Sequence, residues 1–387
     1  MTYLGTIDDT LINKKAIWTA KEICQQPDMW GATQDILNVN ASAISDFLEP
    51  IMAINNLRII LTGAGTSAYV GESLTPYLIQ DSDKNIIDIA TTDLVSGPHL
   101  YFKRKTPTLL VSFSRSGSSP ESLAAVSLAE QMIDDCYQLI ITCNDDGKLY
   151  KMSKTEQNCF ALLMPPETHD KSFAMTSSFT SMVYAAFMML SNHSDRSREI
   201  GKAAKQVIDT KNDMLKNLAK KSYWRVVYIG SNGFKGLARE AALKLLELTD
   251  GKIISVYESS LGFRHGPKSI ITGNTLVFMF ISNDPYTRKY DLDLLNELRK
   301  DNLAGKIVAI SAHPDDELGT ADNHIKIEGM ENAKDAELLL PYITCAQIFA
   351  FHRALALGNT PDSPSSSGTV NRVVEGVKLY DYDDTLE

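Results

Sequence analysis

The 387-residue chain is short of the features that mark metal, nucleic-acid and membrane proteins. Its five cysteines, Cys24, Cys136, Cys143, Cys159 and Cys345, are odd in number and include no C-x-x-C pair. Neither a disulfide framework nor a zinc site is therefore expected. His99, His169, His193, His313, His324 and His352 are scattered, with no H-E-x-x-H spacing, so neither a metal nor a cofactor is expected. Lysine and arginine are outnumbered by 48 acidic residues to 38, a net charge of -10, and they are dispersed rather than clustered. That balance argues against nucleic acid or an anionic membrane surface as the partner, and any anionic small ligand needs a local site. No apolar stretch reaches about 18 residues, and the opening M-T-Y-L-G-T-I-D-D-T lacks a basic region followed by an apolar run. A cytoplasmic globular protein is predicted, and 44% hydrophobic residues suffice for two domains or one large α/β domain.

What is present is an alternation, and it occurs twice. Residues 1–50 read as a helical lead-in. From Leu57, L-R-I-I-L-T-G is a β-branched run ending in glycines and followed by a helical A-Y-V-G-E-S-L, the opening of a doubly wound sheet. Further strands are predicted at N-I-I-D-I-A-T, P-T-L-L-V-S-F-S, Q-L-I-I-T-C-N and C-F-A-L-L-M-P, before a buried helix S-F-T-S-M-V-Y-A-A-F-M-M-L. A charged helical stretch covers Asp195 to Lys221. Then W-R-V-V-Y-I-G-S-N-G-F-K-G-L-A-R-E lies over L-R-I-I-L-T-G-A-G-T-S-A-Y-V-G-E-S with glycines in near register, and strands follow at K-I-I-S-V-Y, T-L-V-F-M-F-I-S, K-I-V-A-I-S-A and H-I-K-I-E. The predicted architecture is α/β: two doubly wound sandwich domains with mainly parallel sheets, at 51–215 and 216–374, after an N-terminal helical segment at 1–50 and before a tail at 375–387. The Ser- and Pro-rich, then acidic, C-terminal stretch reads as mobile.

Two loops at predicted strand ends suit an anion. Gly63 to Ser67 is G-A-G-T-S, and Ser114 to Glu121 is S-R-S-G-S-S-P-E. Before a helix, such loops aim backbone N–H groups, hydroxyls and the helix dipole at one point, as a phosphate requires, and Ser119 and Pro120 fit the N-cap and first turn. A capped helix start accounts for part of this pattern, but not for four serines and an arginine within six residues. The first loop also matches G-x-G-x-x-A, a dinucleotide fingerprint, although only Asp88 or Asp93 loosely serves as its acidic partner.

A second constellation lies between Ala238 and Pro267. Ala241, Leu245 and Leu248 mark the apolar face of a helix, while Glu240, Lys244 and Glu247 share another side at four- and three-residue steps. His265 follows in R-H-G-P, a cationic, rigid loop. Two carboxylates, an ammonium and an imidazole can move protons on a carbon acid. The same spacing also describes an ordinary i,i+4 ion pair on a solvated face.

Taken together, these motifs resemble the sugar isomerase (SIS) family, most closely its AgaS-type branch, over about Asn56 to Val374. In glucosamine-6-phosphate synthase, a member of that family, a G-T-S turn and an S-x-S-G-x-(S/T) loop hold the sugar phosphate, matching Gly65, Thr66, Ser67 and Ser114-Arg115-Ser116-Gly117-Ser118-Ser119 here. Its E-G-A-L-K-L-K-E helix and K-H-G-P loop match Glu240 to Glu247 and Arg264 to Pro267. The resemblance implies that Glu247 carries a proton between C1 and C2 of an open-chain sugar and that His265 opens the ring. Glu240 and Lys244 would orient and polarise, and His265 would be donated across a homodimer interface. It extends the substrate-binding set to Thr176 and to Arg372, the nearest cation where the synthase has a C-terminal lysine; Thr369 stands at the lysine position within D-S-P-S-S-S-G-T. Synthesis from glutamine is not expected, because the N-terminal segment is too short for a glutaminase domain. The implied activity is deamination of galactosamine 6-phosphate to tagatose 6-phosphate. The alternatives are a ketose/aldose isomerase without deamination, a non-catalytic sugar-phosphate sensor, and a dehydrogenase.

Overall fold

The computed structural model describes residues 1–314, 318–320, 323–372, 374 and 376–383. It divides into two compact units, one made of Met1–Gly31, Asp170–Thr176 and Arg196–Thr369, the other of Ala32–His169, Ser177–Asp195 and the chain from Val370. Residues 384–387 of the expected tail, with Val373 and Glu375, lie outside the described residues.

Helices α1 (Ile17–Val39) and α2 (Ala41–Met52) form the N-terminal helical segment. Five strands follow, β1 (Arg58–Thr62), β2 (Asn85–Asp88), β3 (Thr108–Ser114), β4 (Cys136–Thr142) and β5 (Cys159–Leu163), with α3 (Thr66–Gln80) after β1 and α4 (Pro120–Met132) after β3. The buried apolar helix is α5 (Ser177–Leu190), and the charged stretch is α6 (Ser197–Ala219). The second sheet contains β6 (Arg225–Gly230), β7 (Ile254–Glu258), β8 (Thr275–Phe280), β9 (Lys306–Ser311) and β10 (His324–Lys326), with α7 (Gly233–Leu248) after β6, α8 (Pro285–Asp301) after β8 and α9 (Asp335–Ala356) last.

Apart from an antiparallel pair of two-residue strands at Thr2–Tyr3 and Thr6–Ile7, the two five-stranded sheets are wholly parallel and share one winding. Their orders are β2-β1-β3-β4-β5 and β10-β9-β8-β6-β7, so in each the first and third strands are neighbours and the chain reverses direction between them. Every residue of β1, β3 and β8 is buried, which is why these strands read as continuous apolar runs rather than alternating ones. In the first sheet, Ile60, Leu110 and Ile140 pack against Ala125, Val126 and Ala129 of α4. In the second, Val227, Val277 and Ala309 pack against Leu294, Leu295 and Leu298 of α8.

The backbone confirms the register of the repeat. Gly65 has φ +56° and ψ -127°, and Asn232, its counterpart, has φ +54° and ψ -126°. Glycine adopts this conformation freely, whereas asparagine holds it under strain. Two residues earlier, a Cβ on Gly63 would come within 2.6 Å of Ser67, and one on Gly230 within 2.5 Å of Phe234, so only glycine lets strand and helix meet so tightly.

Two expectations are corrected here. Helix α9 is long and apolar enough to cross a membrane, although no apolar stretch of that length is evident in the sequence; 94% of its most apolar window is buried inside the protein, so it is a core helix. The described part of the C-terminal stretch is tied down at several points. Asp362 accepts the N–H groups of Trp18 and Thr19 at the start of α1, Ser366 donates to Asp250, and further on Gln131 donates to the carbonyl of Tyr382, whose ring stacks on His99.

Candidate functional site

In open parallel sheets, ligands bind outside the carboxyl ends of the strands where the winding reverses. In the first sheet that point lies between β1 and β3, and the two hydroxyl-rich loops follow those two strands. Thr66 and Ser67 are buried at the start of α3, whose N-cap, Gly65, makes no side-chain cap. In the other loop Ser114 Oγ accepts from Gly117 N at 2.9 Å, Ser116 Oγ from Ser118 N at 3.4 Å and Ser118 Oγ from Lys148 N at 3.1 Å. Asn144 secures the turn from outside, donating to the Ser116 carbonyl at 2.9 Å. Ser119 takes the N-cap position before Pro120, yet its hydroxyl donates to Ser122 Oγ at 2.6 Å and accepts no cap bond from the helix amides. The first turn of α4 thus starts without a side-chain cap, in a loop whose Ser116, Ser118 and Ser119 keep partial exposure. Uncapped amides, the helix dipole and hydroxyl donors converge on one crevice, the chemistry of an oxyanion site.

Arg115 and Arg372 are brought together, but not as two free cations. Arg115 is buried, and its Nη2 donates to the backbone carbonyl of Arg372 at 2.9 Å, while Arg372 itself is exposed. Thr176 is fully buried, and its N–H donates to Asp170 Oδ2 at 2.8 Å. Asp170 sits beside Glu22, a carboxyl that burial, and then the charge of Asp170, push up to about 8. Glu22 also accepts from the amides of Lys171 and Ser172, so the segment before Thr176 is tied to α1.

In the second sheet, α7 carries the charged row. Glu240 is 0% exposed and Lys244 1%, with Lys244 Nζ 3.5 Å from Glu240 Oε1 and 2.5 Å from Glu247 Oε2. Glu247 alone of the three keeps access, at 22%. A solvated i,i+4 pair is thereby ruled out: an ammonium without solvent, flanked by two carboxylates, is expensive to bury and is retained where a site uses it. Ala241, Leu245 and Leu248 are fully buried on the other side. His265 lies in the turn after Ser260–Phe263, exposed, its imidazole making no hydrogen bond among the described residues. The loop around it is not the cationic one expected from R-H-G-P, since Arg264 is paired with Glu297 and Asp293.

The crevice between β6 and β8 holds groups that sequence reasoning missed. Asp291 of α8 is fully buried and accepts from Ser231 Oγ at 2.6 Å, Ser260 Oγ at 2.5 Å and Ser282 N at 3.0 Å. Asp335 accepts from Ser282 Oγ at 2.5 Å and Asn283 N at 2.7 Å. Burial raises both carboxyls, that of Asp335 to about 6. The repeat signals only their neighbour, since Asp284-Pro285 stands where the first copy has Ser119-Pro120; no spacing in the sequence points to Asp291 or Asp335.

Two doubly wound parallel units, one with hydroxyl-rich loops at its switch point and the other with a buried acid–base row, define a tandem α/β protein equipped to hold an anion and move protons. The chain belongs to the SIS domain family, whose model matches residues 52–192 and 218–357. It is 47% identical over 369 residues to the D-galactosamine-6-phosphate deaminase AgaS of Escherichia coli, covering 94% of this chain and 95% of that one. Among solved structures, a Clostridium novyi protein provisionally assigned as a tagatose-6-phosphate ketose/aldose isomerase matches with a TM-score of 0.95 and 43% identity, covering 99% of this chain and 100% of that one. The tagatose-6-phosphate ketose/aldose isomerase of Escherichia coli matches with a TM-score of 0.88 and 42% identity, covering 95% and 97%.

Proposed function

We propose that the protein converts galactosamine 6-phosphate and water to tagatose 6-phosphate and ammonia. The observation that carries this reading is the end-to-end similarity to a deaminase of that substrate. The Glu240–Lys244–Glu247 row, buried at its first two members, and the serine loops supply the chemistry it needs. The loops of Gly65 to Ser67 and Ser114 to Ser119 take the phosphate, so that binding energy from the unreacting end aligns the reacting carbons. His265 moves a proton between the ring oxygen and the C1 hydroxyl as the ring opens. The Glu247 carboxylate removes the C2 proton to give an enolamine and returns it to C1, leaving a ketimine at C2. Water adds there, and ammonia leaves as the ketone forms. Lys244 and Glu240 orient Glu247 and polarise the oxygen at C1.

The names of the two solved neighbours favour a second reading, aldose–ketose exchange without loss of nitrogen, through the same proton shuttle. Purified protein given galactosamine 6-phosphate is expected to release one ammonia per tagatose 6-phosphate formed. Exchange on tagatose 6-phosphate with no ammonia from the amino sugar would replace the first reading by the second.

An exposed imidazole without a side-chain partner among the described residues suits donation to a second copy of the chain. Mixing inactive Glu247→Gln and His265→Asn proteins is expected to restore activity, because a mixed dimer then has one intact set. No restoration would place both groups on one chain.

A further inference from the structure

The turn that carries His265 is gripped at both ends by one helix. Arg264, immediately before the imidazole, donates from Nε to Glu297 Oε2 at 2.6 Å and from Nη2 to Asp293 Oδ2 at 2.8 Å. Lys268, three residues after it, pairs with the other Glu297 oxygen and with Asp301 Oδ2, the latter at 2.5 Å. Asp293, Glu297 and Asp301 follow one another at four-residue steps, so α8 presents a single carboxylate stripe to the turn. Ser260, at the start of the turn's short helix, is tied to the same helix through Asp291. Between the two cations the chain passes through Gly266 at φ +118°, a conformation closed to other residues, and then through Pro267 with its fixed φ.

Ion pairs this exposed add little to stability. What a carboxylate does when each of its oxygens holds one end of a turn is to fix where the middle of the turn stands. Lys268 and then Arg264 hold the Glu297 carboxyl below its usual range, so it remains the anion that both cations need. The His265 side chain is exposed, and among the described residues its imidazole has no hydrogen bond to orient it; only its backbone N–H is held, by the Gly262 carbonyl at 3.0 Å.

We propose that Glu297 is a positioning residue for ring opening, setting the place of His265 through Arg264 and Lys268. The inference rests on the assignment of ring opening to His265. Two substrates separate the layers: galactosamine 6-phosphate, which must open, and its 4,5-dideoxy analogue, which lacks both hydroxyls that could close a five- or six-membered ring. On the ring-forming substrate, His265→Asn is expected to lower kcat about 100-fold and Glu297→Gln about tenfold, with KM changed less than about twofold for the second. On the open analogue both variants should match the wild type, and Glu297→Asp should recover part of the loss on the ring. If His265→Asn is impaired and Glu297→Gln is not, the positioning role is overturned and the role of His265 stands. Equal losses for Glu297→Gln on both substrates overturn it as well, since that marks a general disturbance. If His265→Asn is unimpaired on the ring-forming substrate, the assignment beneath the inference is wrong.

Discussion

The two copies of the α/β unit place opposite chemistry at the same points of one fold. Where the first copy has Ser67, packed against Gly63 at the strand end, the second has Phe234 against Gly230, fully buried among Phe280 and Tyr342. Ser119 begins α4 without capping it, whereas Asp284 begins α8 and accepts from Tyr286 N and Thr287 N. The second switch point therefore already contains its anions, Asp284, Asp291 and Asp335, each hydrogen-bonded within the protein. The helix after the first strand shows the reverse. Ser73, Tyr77 and Gln80 of α3 stand where α7 has Glu240, Lys244 and Glu247. Under the proposed function, one copy keeps its donors for a ligand and the other keeps its ionisable groups for proton transfer.

The sharpest break in this contrast is Glu247→Gln, which gives α7 the residue that α3 already has at that point. Turnover should fall at least about a thousand-fold with substrate affinity within a few-fold, since the shape stays and the base goes. Steady-state kinetics with binding calorimetry checks both, and near-normal turnover would remove Glu247 from the mechanism. Next in size is Lys244→Met. It leaves the wholly buried Glu240 carboxylate without its ammonium, at a cost of about 3 to 5 kcal/mol in urea unfolding. Adding Glu240→Gln should recover most of that loss; a single variant as stable as the wild type would show that the row is not an electrostatic unit.

A third contrast is in pH. The first copy's two hydroxyl-rich loops bury no carboxylate, while the second copy holds Asp335, whose carboxyl burial raises from 3.8 to about 6. Between those values the folded chain keeps a proton that the unfolded chain has lost, so this group's contribution is complete below about pH 4 and disappears as pH rises through about 6. A shift of that size corresponds to about 3 kcal/mol. Asp335→Asn should flatten stability against pH across this window, measured by urea unfolding at several pH values, and an unaltered slope would assign the dependence to other groups.

Much of this was legible. Parallel strands covered on both faces are written as β-branched runs closed by glycine, so the strands from Arg58 to Lys326 stand out, and the matching glycines of the two turns reveal the repeat. The serine loop was legible because its hydroxyls exceed the needs of a helix cap. Burial of Glu240 and Lys244 was not, because an i,i+4 spacing is shared by wet and dry faces and only tertiary packing distinguishes them. Helix α9 was hidden by Asp335, Glu337, Pro341 and Arg353, which interrupt its apolar run and are nonetheless buried. The acidic filling of the second switch point escaped for another reason: Asp291 and Asp335 lie on different helices, far apart in sequence, and are brought together at Ser282.

The smallest effect tests whether the two switch points really differ. Ser116→Ala removes one hydroxyl from the loop proposed to hold the phosphate, and should weaken binding of phosphorylated sugars by about 1 to 2 kcal/mol, roughly tenfold in Kd. Ser282→Ala removes a hydroxyl from the corresponding loop of the second copy, where it donates to Asp335 rather than to a ligand. Its expected effect is on stability alone, with affinity for the sugar phosphate unchanged. Calorimetric titration of both variants with galactosamine 6-phosphate and with the unphosphorylated sugar separates the cases, because a phosphate contact is lost only with the first ligand. If Ser116→Ala binds both ligands as the wild type does, the serine loop is a structural turn. If Ser282→Ala loses affinity as Ser116→Ala does, the second crevice also holds the substrate and the division between the copies fails.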